Sequence, residues 1–294
     1  MLLKIKKKFT DISSDFNYQA ETFKYARNLP YLSSYDQEIV RQLKQEGIFI
    51  TSLKEFDTSL NSKLMEGARK LLPSLQTISS EATNNKNIRA AGSHCIYGSS
   101  TIIARDYPEI FMWGLEERIF NILENYYSVP VRCIGINFRR DIANEKQTGT
   151  RFWHLDGEDR KVVKICIYLN DVDENGGPFE YIPKSLTPSY RSFKDINYKI
   201  VDEEMEKIVP SSKWKSCQGS AGTIIIADNA KIFHHGKIPL KDRYTLFYVY
   251  VSHNPKKPAM CKHSSWREGL PILLPNLSIE QKERIWNYQD IVVN

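Results

Sequence analysis

After Pro130 the sequence changes pattern, and that change constrains the fold more than any other feature of the chain. Apolar residues stop recurring at helical spacing. They gather instead in short β-branched and aromatic runs: VRCIGINFRR, RFWHLD, VVKICIYLNDV, PFEYIP, GTIIIAD, KIFHHG and RYTLFYVYVS. Turn signals separate the runs, notably Glu174-Asn175-Gly176-Gly177-Pro178 and the stretch from Gly219 to Gly222, where glycine supplies unusual backbone angles and proline ends pairing. Seven short strands so spaced, with one helical interruption near 201–208, predict a closed antiparallel architecture of the jelly-roll type.

Upstream, SSYDQEIVRQLKQ (33–45) opens on serines and an Asp, carries Ile39, Val40 and Leu43 at helical spacing, and stops before Gly47. That is a capped amphipathic helix. GIFITSL then reads as a strand, and 58–72 and 110–127 read as further helices, the last rich in Trp113, Leu115, Ile119, Phe120 and Leu123. No repeat, low-complexity segment or linker divides the chain, so one domain over 1–294 is expected: a mainly helical flank (1–129), a jelly-roll core (130–252) and a C-terminal extension (253–294). With 41% apolar and 12% aromatic residues the chain can bury a large core, which argues against disorder.

Several classes of protein are excluded. Apolar stretches such as 223–227 and 270–274 fall far short of the roughly 18 residues a membrane span needs. Met1-Leu2-Leu3 runs directly into Lys4, Lys6, Lys7 and Lys8, which reverses and truncates the order of a secretory signal. Cys95, Cys133, Cys166, Cys217 and Cys261 are odd in number and form no CxxC, so they fit reduced thiols in the cytoplasm better than a disulfide framework or zinc ribbon. The net charge of +6 suits an anionic partner, yet no nucleic-acid motif accompanies it. The charge is denser at the basic N-terminus and at Lys256, Lys257, Lys262 and Arg267. Solvated tails are the ordinary explanation; a phosphorylated substrate, or peripheral contact with the acidic inner face of a membrane, is the alternative.

Within RFWHLD, residues i and i+2 of a strand share a face, so His154 and Asp156 would project together while Trp153 and Leu155 pack behind them. Such a pair arises by chance in many proteins, and a metal site needs a third ligand. The downstream imidazoles are His234, His235, His253 and His263. His234 ends a strand, and Arg243 heads the next one. Two histidines and one carboxylate on one side of a metal leave three open positions, an arrangement suited to non-haem Fe(II) and oxygen activation.

The run WHLDGEDRKVVKICIYLNDVDENGGPFEYIPKS, continued by AGTIIIADNAKIFHHGKIPLKDRYTLFYVYV, resembles the phytanoyl-CoA dioxygenase-like family of Fe(II)/2-oxoglutarate oxygenases. The resemblance covers about 130–252 and rests on an ordered set: HxD, then YLNDVDENGGPFEYIP, then a glycine-led strand ending in HxGxxP, then Arg. It implies a double-stranded β-helix, cupin-like, with a helical N-terminal part. It also implies that His154, Asp156 and His234 bind Fe(II), that Arg243 pairs with the distal carboxylate of 2-oxoglutarate, and that O2 is the second cosubstrate. HxGxxP and strand alternation favour His234 over His235. In related halogenases a small residue replaces the carboxylate; Asp156 is present, which implies hydroxylation. Two departures concern substrate and cosubstrate binding: Pro183-Lys184-Ser185-Leu186 stands where PGSH is frequent, and no Ser or Thr stands two places after His234.

Further candidates are weaker. Arg139 shares a strand face with Asn137; it either reaches the pocket to bind the cosubstrate or forms a buried ion pair with Glu158 or Asp159. Lys164 alternates with Cys166 and Tyr168, so it either points inward to an acid or cosubstrate or, as is ordinary for lysine, outward to solvent. Arg243 itself could be a surface arginine. His94 and Tyr97 lie in AAGSHCIYGSS, a loop over the pocket mouth or a plain connector. Two rivals remain: a cupin-type metalloenzyme that needs no 2-oxoglutarate, and a non-catalytic binding module on the same scaffold. For substrate the family spans small molecules, sugars and acyl or lipid-linked compounds; since a Kdo 3-hydroxylase of comparable size belongs to it, the resemblance, together with the basic ends and cytosolic profile, implies a Kdo sugar of lipid A precursors as one candidate.

Overall fold

The computed structural model describes residues 2–76, 94–193, 199–262 and 266–292, with side chains from Ser14 to Asp290 within those ranges. Helices dominate the first part: α1 (Leu2–Tyr25), α2 (Ser34–Glu46), α3 (Asn61–Gln76), α4 (Ser100–Asp106), α5 (Pro108–Trp113) and α6 (Glu117–Tyr127). The strands are β1 (Ile48–Ser52), β2 (Cys95–Tyr97), β3 (Val131–Asp141), β4 (Val163–Tyr168), β5 (Phe179–Tyr181), β6 (Lys215–Cys217), β7 (Thr223–Asp228), β8 (His234–Gly236) and β9 (Arg243–Ser252), with α7 (Asp202–Glu206) between β5 and β6. They form a six-stranded sheet in the order β1-β7-β4-β9-β3-β2 and a three-stranded sheet in the order β6-β5-β8, antiparallel throughout.

Alternation along β9 explains why the large sheet has two kinds of cover. Tyr244, Leu246, Tyr248 and Tyr250 join a core with Ile165, Ile167, Ile224, Ile226 and the apolar faces of α2 to α6. Phe247 packs in a separate cluster with Cys166, Tyr168 and β5's Phe179. Both faces of β9 are covered, so every residue of the strand is buried and the run reads as continuously apolar rather than alternating.

The helix at 33–45 forms as its sequence predicts. The Ser33 side chain accepts from the Asp36 amide, and Gly47, in the left-handed region at φ 78°, donates its N–H to the Leu43 carbonyl. Asp36 turns inward to meet Arg118 at 2.7 Å, tying α2 to α6. The expected helix over 110–127 is instead broken between α5 and α6. Gly114 lets the Tyr248 ring pack where a Cβ would come within 2.2 Å of it, and the Gly114 and Leu115 carbonyls accept from Tyr250 and Arg284 instead of from helix amides.

RFWHLD is likewise not a regular strand. A 3-10 turn at Gly149–Arg151 leads into two isolated bridges, Trp153 to Ile200 and His154 to His234. Gly149 takes φ +58° because the His94 ring occupies the space a side chain would need. The Gly/Ser stretch read as a loop supplies β2 from Cys95, paired to the edge of β3, while 90–93 lies outside the described residues. The C-terminal extension hydrogen-bonds at the β3 bulge, where the Cys133 amide donates to the Arg284 carbonyl and the Trp286 amide to that of Cys133.

All five cysteines are buried and free. No helix among the described residues is long and apolar enough to cross a membrane. Of the basic ends, Lys256 is paired with Asp15 of α1; the side chains of Lys4, Lys6, Lys7 and Lys8, and His263 altogether, lie outside the described residues.

One glycine in the turn before β5 carries a testable cost. Gly177 sits at φ +64°, and a Cβ there would meet the Lys237 carbonyl oxygen at 2.5 Å. Gly177→Ala is expected to lower stability by about 2 kcal/mol or more, from left-handed strain plus overpacking. Urea denaturation reads this directly, and an unchanged midpoint would show that the turn relaxes freely.

Candidate metal centre

An isolated bridge between the extended 153–156 segment and β8 builds the site. His154 and His234 exchange backbone hydrogen bonds, each amide donating to the other's carbonyl at 3.1 Å, and the Asp156 amide donates to Asn229 at 2.9 Å. These bonds bring the side chains of His154, Asp156 and His234 together, with one ligand atom from each lying within 4.8 Å of the others. The two imidazole rings are 4.2 Å apart, centroid to centroid.

Each ligand candidate is prepared by its surroundings. His154 Nδ1 donates to the Phe152 carbonyl at 2.7 Å and His234 Nδ1 to that of Ile232 at 3.1 Å, which leaves Nε2 of each ring as the candidate metal donor; that of His154 lies 3.8 Å from Asp156 Oδ1. Burial lowers the proton affinity of both rings, His234 most strongly, which keeps a lone pair on Nε2. Burial alone would push the Asp156 carboxyl up, but the Lys164 ammonium beside it holds it well below the usual carboxylate range. Two neutral imidazoles and an ionised carboxylate make a donor set that fits a divalent metal of the iron type. Asn229 completes the cluster: its Nδ2 lies 2.9 Å from His234 Nε2, while its Oδ1 is buried without a hydrogen-bond partner. The turn carrying it is fixed by Asp228, which accepts from Tyr126 at 2.6 Å.

His235 faces the other way along the wall. Its Nε2 lies 2.8 Å from Glu180 and its Nδ1 3.1 Å from the Arg151 carbonyl, while its ring stacks on Trp153 at 3.9 Å. Both ring nitrogens are engaged by protein oxygens, and the ring is not part of the ligand cluster.

The cluster opens into a cavity of ≈ 130 Å³ between the two sheets. Arg139, Lys164 and Arg243 all line it, together with Tyr97 from the stretch read as a connector. Arg243 is not a surface arginine: it is 4% exposed, its Nε and Nη2 donate to Asp141 Oδ2 at 3.2 and 3.1 Å, and its Nη1 donates to the Gly177 carbonyl. Arg139 donates from Nε to the same Asp141 oxygen at 3.2 Å. Neither Glu158 nor Asp159 is its partner; Asp159 is taken up by Ser252 and the Lys256 amide. Two guanidiniums against one carboxylate leave a buried positive charge. Burial would raise the Asp141 carboxyl, but Arg139 and Arg243 hold it below its ordinary range. Thr245, in register with Arg139 and two residues from Arg243, has a buried hydroxyl with no partner.

Lys164 does not face solvent, contrary to the ordinary expectation for a lysine. Its Nζ lies 2.6 Å from Asp156 Oδ2. It stands in register with Ala227 and Val249, whose small side chains leave it room to reach inward. Asp141, Glu180 and Asn229 escape a reading by motif. The first two show a trace of themselves in alternation, since Asp141 is two residues from Arg139 and Glu180 flanks Phe179, which stacks on His234 at 5.4 Å.

A small sheet closing over one face of a large antiparallel sheet, with the cavity between them, is a double-stranded β-helix, the jelly-roll architecture the strand pattern predicts. No protein-family model matches the chain, and no curated protein does. Solved structures are similar in fold. HygX from Streptomyces hygroscopicus, solved with nickel and 2-oxoglutarate bound, is 16% identical over 76% of this chain and 88% of its own, at a TM-score of 0.50. AviO1 from Streptomyces viridochromogenes is 16% identical over 78% and 99% at 0.49, and EctD from S. alaskensis in its apoform 14% identical over 76% and 78% at 0.49.

Proposed function

We propose that the protein is an Fe(II)/2-oxoglutarate-dependent dioxygenase of the phytanoyl-CoA dioxygenase-like kind, hydroxylating an aliphatic carbon of a small molecule. One observation carries this reading: a single cavity is lined by His154 and His234, against which Asp156 is clustered, and by the guanidiniums of Arg243 and Arg139 with their buried positive charge. A metal site alone would suit many chemistries. A metal site that shares its cavity with unneutralised guanidinium charge suits a metal-chelating carboxylic acid. HygX, which has this fold, was solved with nickel and 2-oxoglutarate bound.

When bound, the iron supplies oxygen activation driven by decarboxylation of the 2-oxo acid. The remaining work belongs to the protein. His154 and His234 present Nε2, and Asp156 presents the anionic donor. Arg243 and Arg139 neutralise the distal carboxylate of 2-oxoglutarate, which fixes the cosubstrate's direction in the cavity. Phe179, Phe247 and Val249 line the same space and exclude water from the reacting carbon. Tyr97, Asn137 and Thr150 add uncharged polar groups to the wall, of the kind that orient a hydroxylated substrate. A substrate with an anionic group, lipid-linked or free, fits the net charge of +6; a Kdo sugar is one such compound, and charge alone supports it.

The test is succinate production. Protein loaded with iron under argon, supplied with 2-oxoglutarate and ascorbate and then exposed to air, is expected to form succinate. In the presence of a metabolite extract it should also add one oxygen mass to a single component. Metal-loaded protein that forms no succinate with any extract would return the reading to a cupin-type metalloenzyme or a binding module.

A further inference from the structure

We propose that Lys164 is a positioning residue for the metal-binding carboxylate: its ammonium reserves Asp156 Oδ2, so that Asp156 offers a metal one oxygen only. This rests on the metal reading above and assigns Lys164 a role other than cosubstrate anchor. The separation of 2.6 Å is that of a close ion pair, and the Asp156 side chain is only 9% exposed. Asp156 Oδ1, the other oxygen, lies 3.8 Å from His154 Nε2, on the side of that imidazole. The two oxygens of one carboxylate are thus divided between a fixed cation and the metal-facing side.

The division decides how many coordination positions remain. A carboxylate free to use both oxygens can occupy two corners, leaving two open beside the imidazoles. Held to one oxygen, it leaves three, enough for the two donor atoms of a 2-oxo acid and one more ligand. Lys164 is also a poor second anchor for the cosubstrate's far carboxylate, because its charge is already matched by Asp156. The unmatched charge lies with Arg139 and Arg243 around Asp141.

Cobalt(II) gives a test that does not depend on turnover. In Lys164→Met, Co(II) affinity is expected to hold within about tenfold of the unaltered protein, because all three ligands remain, while 2-oxoglutarate binding to the cobalt form weakens by roughly 30-fold or more as a chelating position is lost. Glutarate, which has both carboxylates but no keto oxygen, is expected to bind both proteins alike. The visible absorption of the cobalt form should change in Lys164→Met and return in Lys164→Arg, which keeps a cation at Oδ2. Loss of glutarate binding in step with 2-oxoglutarate would overturn the proposal and make Lys164 a carboxylate anchor. Unchanged 2-oxoglutarate binding and absorption would also overturn it. Failure of the unaltered protein to bind cobalt is the distinct outcome that removes the metal reading itself, and this proposal with it.

Discussion

Alanine in place of His154, Asp156 or His234 is expected to abolish iron retention and, with it, 2-oxoglutarate turnover, whereas His235→Ala keeps the metal. Partners outside the ligand set typically contribute 10–100-fold in metal affinity, so losing a ligand outright should exceed about 100-fold. His235 differs because its ring is spent on Glu180 and the Arg151 carbonyl. Its removal leaves a buried carboxylate without its partner, and the expected cost is about 3 kcal/mol of folding stability rather than metal. Iron content after gel filtration, paired with urea denaturation, separates the two kinds of loss. Iron lost from His235→Ala but kept by His234→Ala would move the ligand assignment by one residue.

Arg243→Gln is expected to raise the 2-oxoglutarate requirement by roughly 30-fold or more while iron binding stays nearly intact, since removing a buried charge partner costs 2–5 kcal/mol. Asp141 complicates this variant usefully. It accepts from both Arg243 and Arg139, so losing Arg243 also strips part of the counter-charge that keeps Asp141 ionised. Stability should therefore fall together with cosubstrate affinity. Adding Asp141→Asn to Arg243→Gln is expected to recover much of the stability and none of the affinity. If 2-oxoglutarate binds Arg243→Gln as tightly as before, Arg139 is the anchor.

The sequence shows the strands of the large sheet because β-branched and aromatic runs must be buried on both faces; β4, β7 and β9 lie within the runs expected, and β3 overruns its own only by Asp141. It hides β2 and β6, which are three residues each and take their pairing from neighbours. His154 and Asp156 are legible as candidates because i, i+2 spacing survives in any extended segment, even though bridges replace the expected strand there. Lys164 is the clearest failure of the ordinary expectation. Alternation with Cys166 and Tyr168 already allows the inward direction, but that Asp156 lies there to receive the charge is a tertiary fact. The helix break at Gly114 has the same origin, since Tyr248 and Tyr250 arrive from 134 and 136 residues later.

The edge position of β1 bears on how the chain is made. β1 ends at Ser52, yet its pairing partner β7 begins at Thr223, so about 170 residues must leave the ribosome before that edge can close, on the order of 10–30 s of synthesis. β3 waits similarly for β9, which carries Arg243. Throughout that interval the nascent chain displays apolar strands whose partners do not yet exist. Folding rates fall as contacts become more distant in sequence, so the nascent chain's safe passage rests on the early helices, whose cores assemble from neighbouring residues and can shield the waiting strands.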